Sequence, residues 1–151
     1  IDRLAVNGNR KFHVFPRAMI HEDHFDFSFS GLKASAQRHL QGLSAEQIQN
    51  NLENLCASYQ EAIVEVLLEK VKRASRKFNI NTISLTGGVS ANSRLRESFM
   101  EFAKVENKVL AIPPLRFCTD NASMIALAGL KRLENGESSS LSEGVAARGA
   151  I

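Results

Sequence analysis

The hydrophobic pattern is strongest between residues 43 and 78. Ser44 followed by Gln47 has the spacing of a capping box, with Leu43 and Ile48 set to form a hydrophobic staple. Leu52, Leu55, Cys56, Tyr59, Ile63, Val66, Leu67, Val71, Ala74 and Phe78 keep helical spacing, which predicts one long amphipathic helix to about residue 77. Upstream, Ile1, Leu4 and Ala5 share one side of a short helix ended by Gly8, and residues 9–24, with Pro16 and little periodicity, predict an irregular connection. The period changes to two in residues 25–31. Phe25, Phe27 and Phe29 alternate there with Asp26, Ser28 and Ser30, predicting a half-buried strand that ends at Gly31. Leu32, Ala36 and Leu40 then predict a short helix over residues 33–41, stopping at Gly42.

Downstream, Thr82 to Leu85 predict a strand aimed at Gly87 and Gly88, with Ser90 capping a helix that carries Leu95, Phe99, Phe102 and Ala103 to about residue 105. Val109 to Ile112 predict a second strand, ended by Pro113 and Pro114. Thr119 or Asp120 is the expected cap of a last helix. Its body, Ala122 to Leu130, is apolar nearly all round and is expected to lie buried against a sheet. Gly136 reads as its C-terminal stop, and the serine-containing tail from Glu137 as loosely held.

Composition narrows the class. A chain of 151 residues is long enough for one domain with a core, and 44% hydrophobic with 23% charged residues excludes gross disorder. No apolar run approaches the ~20 residues of a membrane-spanning helix, so no membrane partner is expected. Cys56 and Cys118 lie far apart and suggest neither a zinc knuckle nor a disulfide framework, which fits a reducing, cytoplasmic setting. Net charge of +3 permits a polyanionic partner without demanding one. Lys70, Lys72, Arg73, Arg76 and Lys77 cluster at the end of the long helix, either complementing its dipole in solvent or forming a phosphate-contacting patch for RNA. His21 and His24 offer no third ligand at a known spacing and are not taken as a metal site.

Two strand-to-helix corners carry the candidate chemistry. Gly87 and Gly88 let the backbone turn and approach a ligand, and a following helix N-terminus favours phosphate, although the same glycines could serve chain geometry alone. This is neither a P-loop nor the dinucleotide fingerprint. Asn92 could turn its amide to a sugar hydroxyl or a base, or be a solvated first-turn residue. Asp120 could be a helix cap or a functional acid at the second corner, beside the glycine turn at one sheet edge, where a metal or phosphate could bind.

FPRAM at 15–19, DFSFSGLK at 26–33, GGVSAN at 87–92 and CTDNASMIA at 118–126, in that order, resemble the C-terminal half of the tRNA adenosine threonylcarbamoyltransferase family. That family was formerly labelled O-sialoglycoprotein endopeptidase or glycoprotease. The resemblance implies an α/β fold that is part of an actin-like ATPase, with ribonuclease-H-like lobes around a nucleotide cleft. Residues 1–136 would be a helix-rich piece of the C-terminal lobe, 137–151 a tail, and the N-terminal lobe would be absent. It implies transfer of a threonylcarbamoyl group from threonylcarbamoyl-adenylate to the exocyclic amine of the tRNA adenosine beside the anticodon, with accessory proteins of the modification complex. By position, Asn92, Gly87 and Gly88 match residues at the adenylate, and Asp120 matches a ligand of one divalent metal, iron or zinc. Ser123 stands where alanine is more usual.

The family's paired metal-binding histidines, spaced HxxxH, have no counterpart here, since His13, His21, His24 and His39 lack that spacing. The chain, which opens on Ile1, is therefore expected to be a fragment, inactive alone and prone to self-association through an uncovered sheet edge. Two other functions stand beside the transferase: a non-catalytic scaffold or dimerising partner of the same fold, and a metal-dependent glycoprotease.

Overall fold

In the computed structural model, which describes residues 1–140 together with Ser142 and Gly144, the chain divides into a unit Ile1–Cys118 and a second unit from Thr119. The first is a helix-rich α/β arrangement with few strands, as the resemblance implies. Its spine is α4 (Leu52–Lys77), which receives α1 (Asp2–Ala5) on one side and α5 (Ser93–Val105) on another. β1 (Thr82–Ser84) and β2 (Val109–Ala111) form a parallel pair joined through α5, with Ile83 opposite Leu110. The parallel pairing follows from the crossover, since a helix must return the chain to the starting edge.

Helical spacing on α4 and α5 turns one apolar face of each inward. Val64, Ile83, Leu95, Phe99 and Phe102 form the main core, with Leu67, Leu68 and Val71 against it. A second cluster joins Phe15 of the irregular connection to Leu32 of α2 (Ser30–Gln41) and Ala62 of α4. Burying each large side chain contributes roughly 1.5–3 kcal/mol, so these two clusters hold the unit together. Gly8 does more than end α1. A Cβ there would lie 2.1 Å from the Glu53 carbonyl oxygen, so glycine is what lets the chain cross α4.

Three expectations fail. Residues 25–29 are not a strand. They lie outside any ladder, Phe29 is the residue preceding α2, and Phe27 is 46% exposed. Alternation marks a side-chain period, but a strand also needs a pairing edge, and the sheet among the described residues contains only β1 and β2. Gly31 accordingly sits inside α2, which does stop at Gly42.

The long helix is interrupted. Ser44 and Gln47 form the capping box of a short α3 (Ala45–Asn50), and α4 starts afresh after Asn51. The Asn51 amide Nδ2 donates to the Gln47 carbonyl at 2.9 Å while its φ of −115° leaves the helical region, so the side chain competes for a helix carbonyl and breaks the run.

In the second unit, no residue of α6 (Ala122–Glu134) is buried by that unit itself, with Ile125 67% exposed. An all-round apolar helix needs a cover, and its own unit supplies none among the described residues. Its N-cap is Asn121, whose Oδ1 accepts from Met124 N at 3.0 Å, rather than Thr119 or Asp120. Gly136, at φ 80°, does close the helix, its N–H reaching the Leu133 carbonyl. Of the expected loose tail, residues 141, 143 and 145–151 lie outside the described residues, and Glu137 pairs with Arg132. Among the described residues no helix is long and apolar enough to cross a membrane.

Candidate functional site

The glycine corner follows β1 directly. Leu85 N–H extends the ladder by one bond to the Ala111 carbonyl, and Gly87 then takes φ 87° and ψ 170°, a conformation that costs any L side chain. A 3₁₀ turn, Gly88–Ala91, separates this bend from α5. That insertion moves the helix start by two residues. Ser90 is therefore not the cap but is buried inside the turn, its hydroxyl unpartnered, and Asn92 caps α5 instead. Asn92 Oδ1 accepts from Leu95 N at 2.9 Å, and Nδ2 donates to Gln60 Oε1 at 2.7 Å. It is neither solvated nor wholly free. Each end of its amide keeps capacity for one more bond.

The N-terminus of α5 is also occupied from within the chain. The Asp2 carboxylate accepts from Ser93 N at 3.0 Å and from Ser93 Oγ at 2.8 Å, supplying the negative charge that a helix start favours. Earlier in the corner, the amides of Gly87, Gly88 and Val89 have no hydrogen-bond partner among the described residues. Three consecutive open amides at a bend are suited to an anion. Nothing lies within 4 Å of a Cβ built on Gly88, so no neighbour in the chain requires a glycine there. Beneath the corner is an apolar recess of about 140 Å³, lined by Val89, Asn92 and Leu95 with Gln60, Val64 and Leu67 of α4. Small-molecule sites usually enclose ~300–1,000 Å³, so the recess is one wall of a site rather than an enclosure.

Sequence reasoning missed the charge network beside this wall. Arg94 grips both carboxylate oxygens of Glu61 at 2.7 Å and also reaches Glu97, while Arg10 joins Glu61 and Glu97, and Arg17 holds Glu65. Burial pushes the Glu61 carboxyl up, but the Arg94 hydrogen bond and the charges of Arg94, Arg10 and Arg17 hold it below its ordinary value. Only the Arg94 and Glu97 spacing on one helix signalled any of this.

The basic end of α4 has a structural task as well. Lys70, 1% exposed, donates to the carbonyls of Glu22 and His24, and Arg73 donates to those of Ile20 and Glu22. Lys72 and Lys77 lie over the rings of Phe102 and Phe25, and Arg76 pairs with Glu106. Lys70 and Arg73 thus secure the irregular connection, whereas Arg76 and Lys77 remain exposed to solvent.

Of the sequence-predicted site residues, Gly87, Gly88 and Asn92 thus meet in one corner. Asp120 lies in the second unit, exposed, just ahead of α6. Among the described residues no three His, Cys, Asp or Glu side chains gather to hold a metal, so those residues do not fit a metal by themselves.

Residues 1–127 match the family described as "TsaD: tRNA N6-adenosine threonylcarbamoyltransferase". The chain is similar to curated proteins called tRNA N6-adenosine threonylcarbamoyltransferase. It is 53% identical over 144 residues to that of Bdellovibrio bacteriovorus, covering 95% of this chain and 42% of the relative. Identity is 48% over 142 residues with that of Syntrophus aciditrophicus, covering 94% of this chain and 41% of the relative. With that of Clostridioides difficile it is 45% over 142 residues, covering 94% and 42%. The chain therefore spans about two-fifths of the length of these relatives.

Proposed function

This chain belongs to the tRNA N6-adenosine threonylcarbamoyltransferase family, and on that footing we propose that the protein built from it transfers a threonylcarbamoyl group from threonylcarbamoyl-adenylate to the exocyclic amine of the adenosine beside the tRNA anticodon. The observation that carries this is the family match over residues 1–127, within which GGVSAN forms the bend with open amides. In the reaction the amine nitrogen bonds to the carbamoyl carbon, the bond from that carbon to the adenylate oxygen breaks, and a proton leaves the amine. The nucleoside monophosphate departs readily, so the chain's contribution is positioning and electrostatics.

In this proposal the amides of Gly87, Gly88 and Val89 receive the adenylate phosphate, and the spare capacity of Asn92 meets its sugar or base. Asp120 is the carboxylate this chain offers to a divalent metal, iron or zinc, which would supply a Lewis acid; the two histidines of the family's ligand set have no counterpart among the chain's four. Transfer RNA, the adenylate and accessory proteins of the modification complex are the proposed partners. Residues 1–136 are proposed as part of one lobe of a two-lobe actin-like fold, with the tail after it.

The test is to incubate the full-length protein with threonylcarbamoyl-adenylate and tRNA and to follow the modified adenosine by mass spectrometry. Modification by the full-length protein, with none by residues 1–151 alone, is the expected outcome. Absence of product from metal-loaded full-length protein with its accessory proteins would overturn the assignment.

A further inference from the structure

Because β1 and β2 run parallel, the chain leaves both at the same sheet edge, as residues 85–92 after β1 and 112–118 after β2. Arg96, in the first turn of α5, reaches both segments. Its Nε donates to the Ser90 carbonyl at 2.6 Å, and its Nη2 to the Pro113 carbonyl at 2.9 Å and to Cys118 Sγ at 3.0 Å. Ser90 and Cys118 are 1% and 3% exposed. Among the described residues the hydrogen bonds of this guanidinium all go to neutral acceptors. Arg96 is half-buried, and setting a cation against neutral acceptors forfeits part of its hydration, so its place is explained by what the planar fork holds. On the corner side it holds Ser90, whose own hydroxyl is unpartnered and whose N–H closes the turn onto the Gly87 carbonyl.

We propose that Arg96 is a positioning residue of the adenylate site: by tying the Ser90 carbonyl to the segment after β2, it fixes the direction of the Gly87, Gly88 and Val89 amides before the phosphate arrives. This rests on the function proposed above. Donors aimed in advance avoid reorganisation on binding, and misplacing such a group by about 1 Å can cost on the order of a hundredfold.

The test uses the full-length protein and steady-state kinetics with the adenylate and tRNA varied separately. Arg96→Lys keeps the charge but cannot span three acceptors. It should raise the KM for threonylcarbamoyl-adenylate about tenfold or more, with kcat within about threefold and the KM for tRNA unchanged. Cys118→Ala, which removes the thiol that accepts from Arg96 and donates to the Pro113 and Pro114 carbonyls, should raise the same KM about threefold and serves if the arginine variant does not accumulate. A lowered Tm with the adenylate KM unchanged in these variants would overturn the proposal. If the wild-type protein does not turn over the adenylate, the function fails separately, and amide hydrogen exchange decides the positioning. Exchange at Ser90 and Asn92 at least about tenfold faster in Arg96→Lys supports it, and unchanged exchange overturns it.

Discussion

Glu61→Gln is the substitution whose cost the structure defines best. It keeps the side-chain shape, removes the charge, and leaves the Arg94 guanidinium, whose side chain is 17% exposed, with Glu97 as its remaining carboxylate. Removing one partner of a buried pair costs about 3–5 kcal/mol, whereas exposed pairs contribute about 0–1 kcal/mol. Side-chain exposures of 11% and 17% place this pair near the buried limit, and Glu97 at 2.7 Å offsets part of the loss. The expected destabilisation is about 2 kcal/mol, roughly a thirtyfold change in the folding equilibrium. Urea unfolding followed by circular dichroism at pH 7 should show a lower midpoint with the same slope. The pH dependence follows from the depressed carboxyl. Its contribution is full above the ordinary value of 4.5 and is lost as pH falls through the lower folded value. Wild type should therefore lose stability more steeply than Glu61→Gln in that acid window. A variant within about 0.5 kcal/mol of wild type, or two parallel acid curves, would refute the assignment of this network as a structural tie.

Other consequences are equally direct. Gly8→Ala should destabilise by about 2–3 kcal/mol in thermal or urea unfolding, because the new Cβ meets the Glu53 backbone at 2.1 Å and neither partner is a flexible side-chain end. Gly87→Ala should cost about 1–2 kcal/mol through its φ of 87° alone, whereas Gly88→Ala should be near neutral in stability yet raise the KM for the adenylate, as kinetics on the full-length protein would read. Lys70→Met should leave the His24 carbonyl without its donor and the Glu22 carbonyl with Arg73 alone, so limited proteolysis should cut between residues 20 and 26 about tenfold faster than in wild type.

Periodicity made α4, α5 and the two short strands legible, since Leu55, Val66, Leu95, Phe99 and Phe102 are buried where spacing puts them and Ile83 faces the core. It misled wherever a second element had to be supplied. Phe25, Phe27 and Phe29 alternate correctly but have no pairing edge among the described residues. Side chains that compete for the backbone were also invisible to spacing, as when Asn51 breaks a helix and Asn92 and Asn121 displace the expected caps. The grouping of Gly87, Gly88 and Asn92 was readable because they are near in sequence. The Asp2 bond to Ser93 and the Arg96 bond to Cys118 were not, because charge and hydrogen-bonding capacity do not state their partners at a distance.

The Asp2 carboxylate on Ser93 also fixes an order of events. A helix of four residues cannot persist alone, so α1 forms only once it has docked on α4. The last brace on α5 must then be set after the rest of the unit has assembled, across a closure that spans most of its length. The Ser93 amide becomes a clock for the seating of the chain's first turn: its protection from deuterium should arrive late during refolding and be among the first lost when the native state breathes.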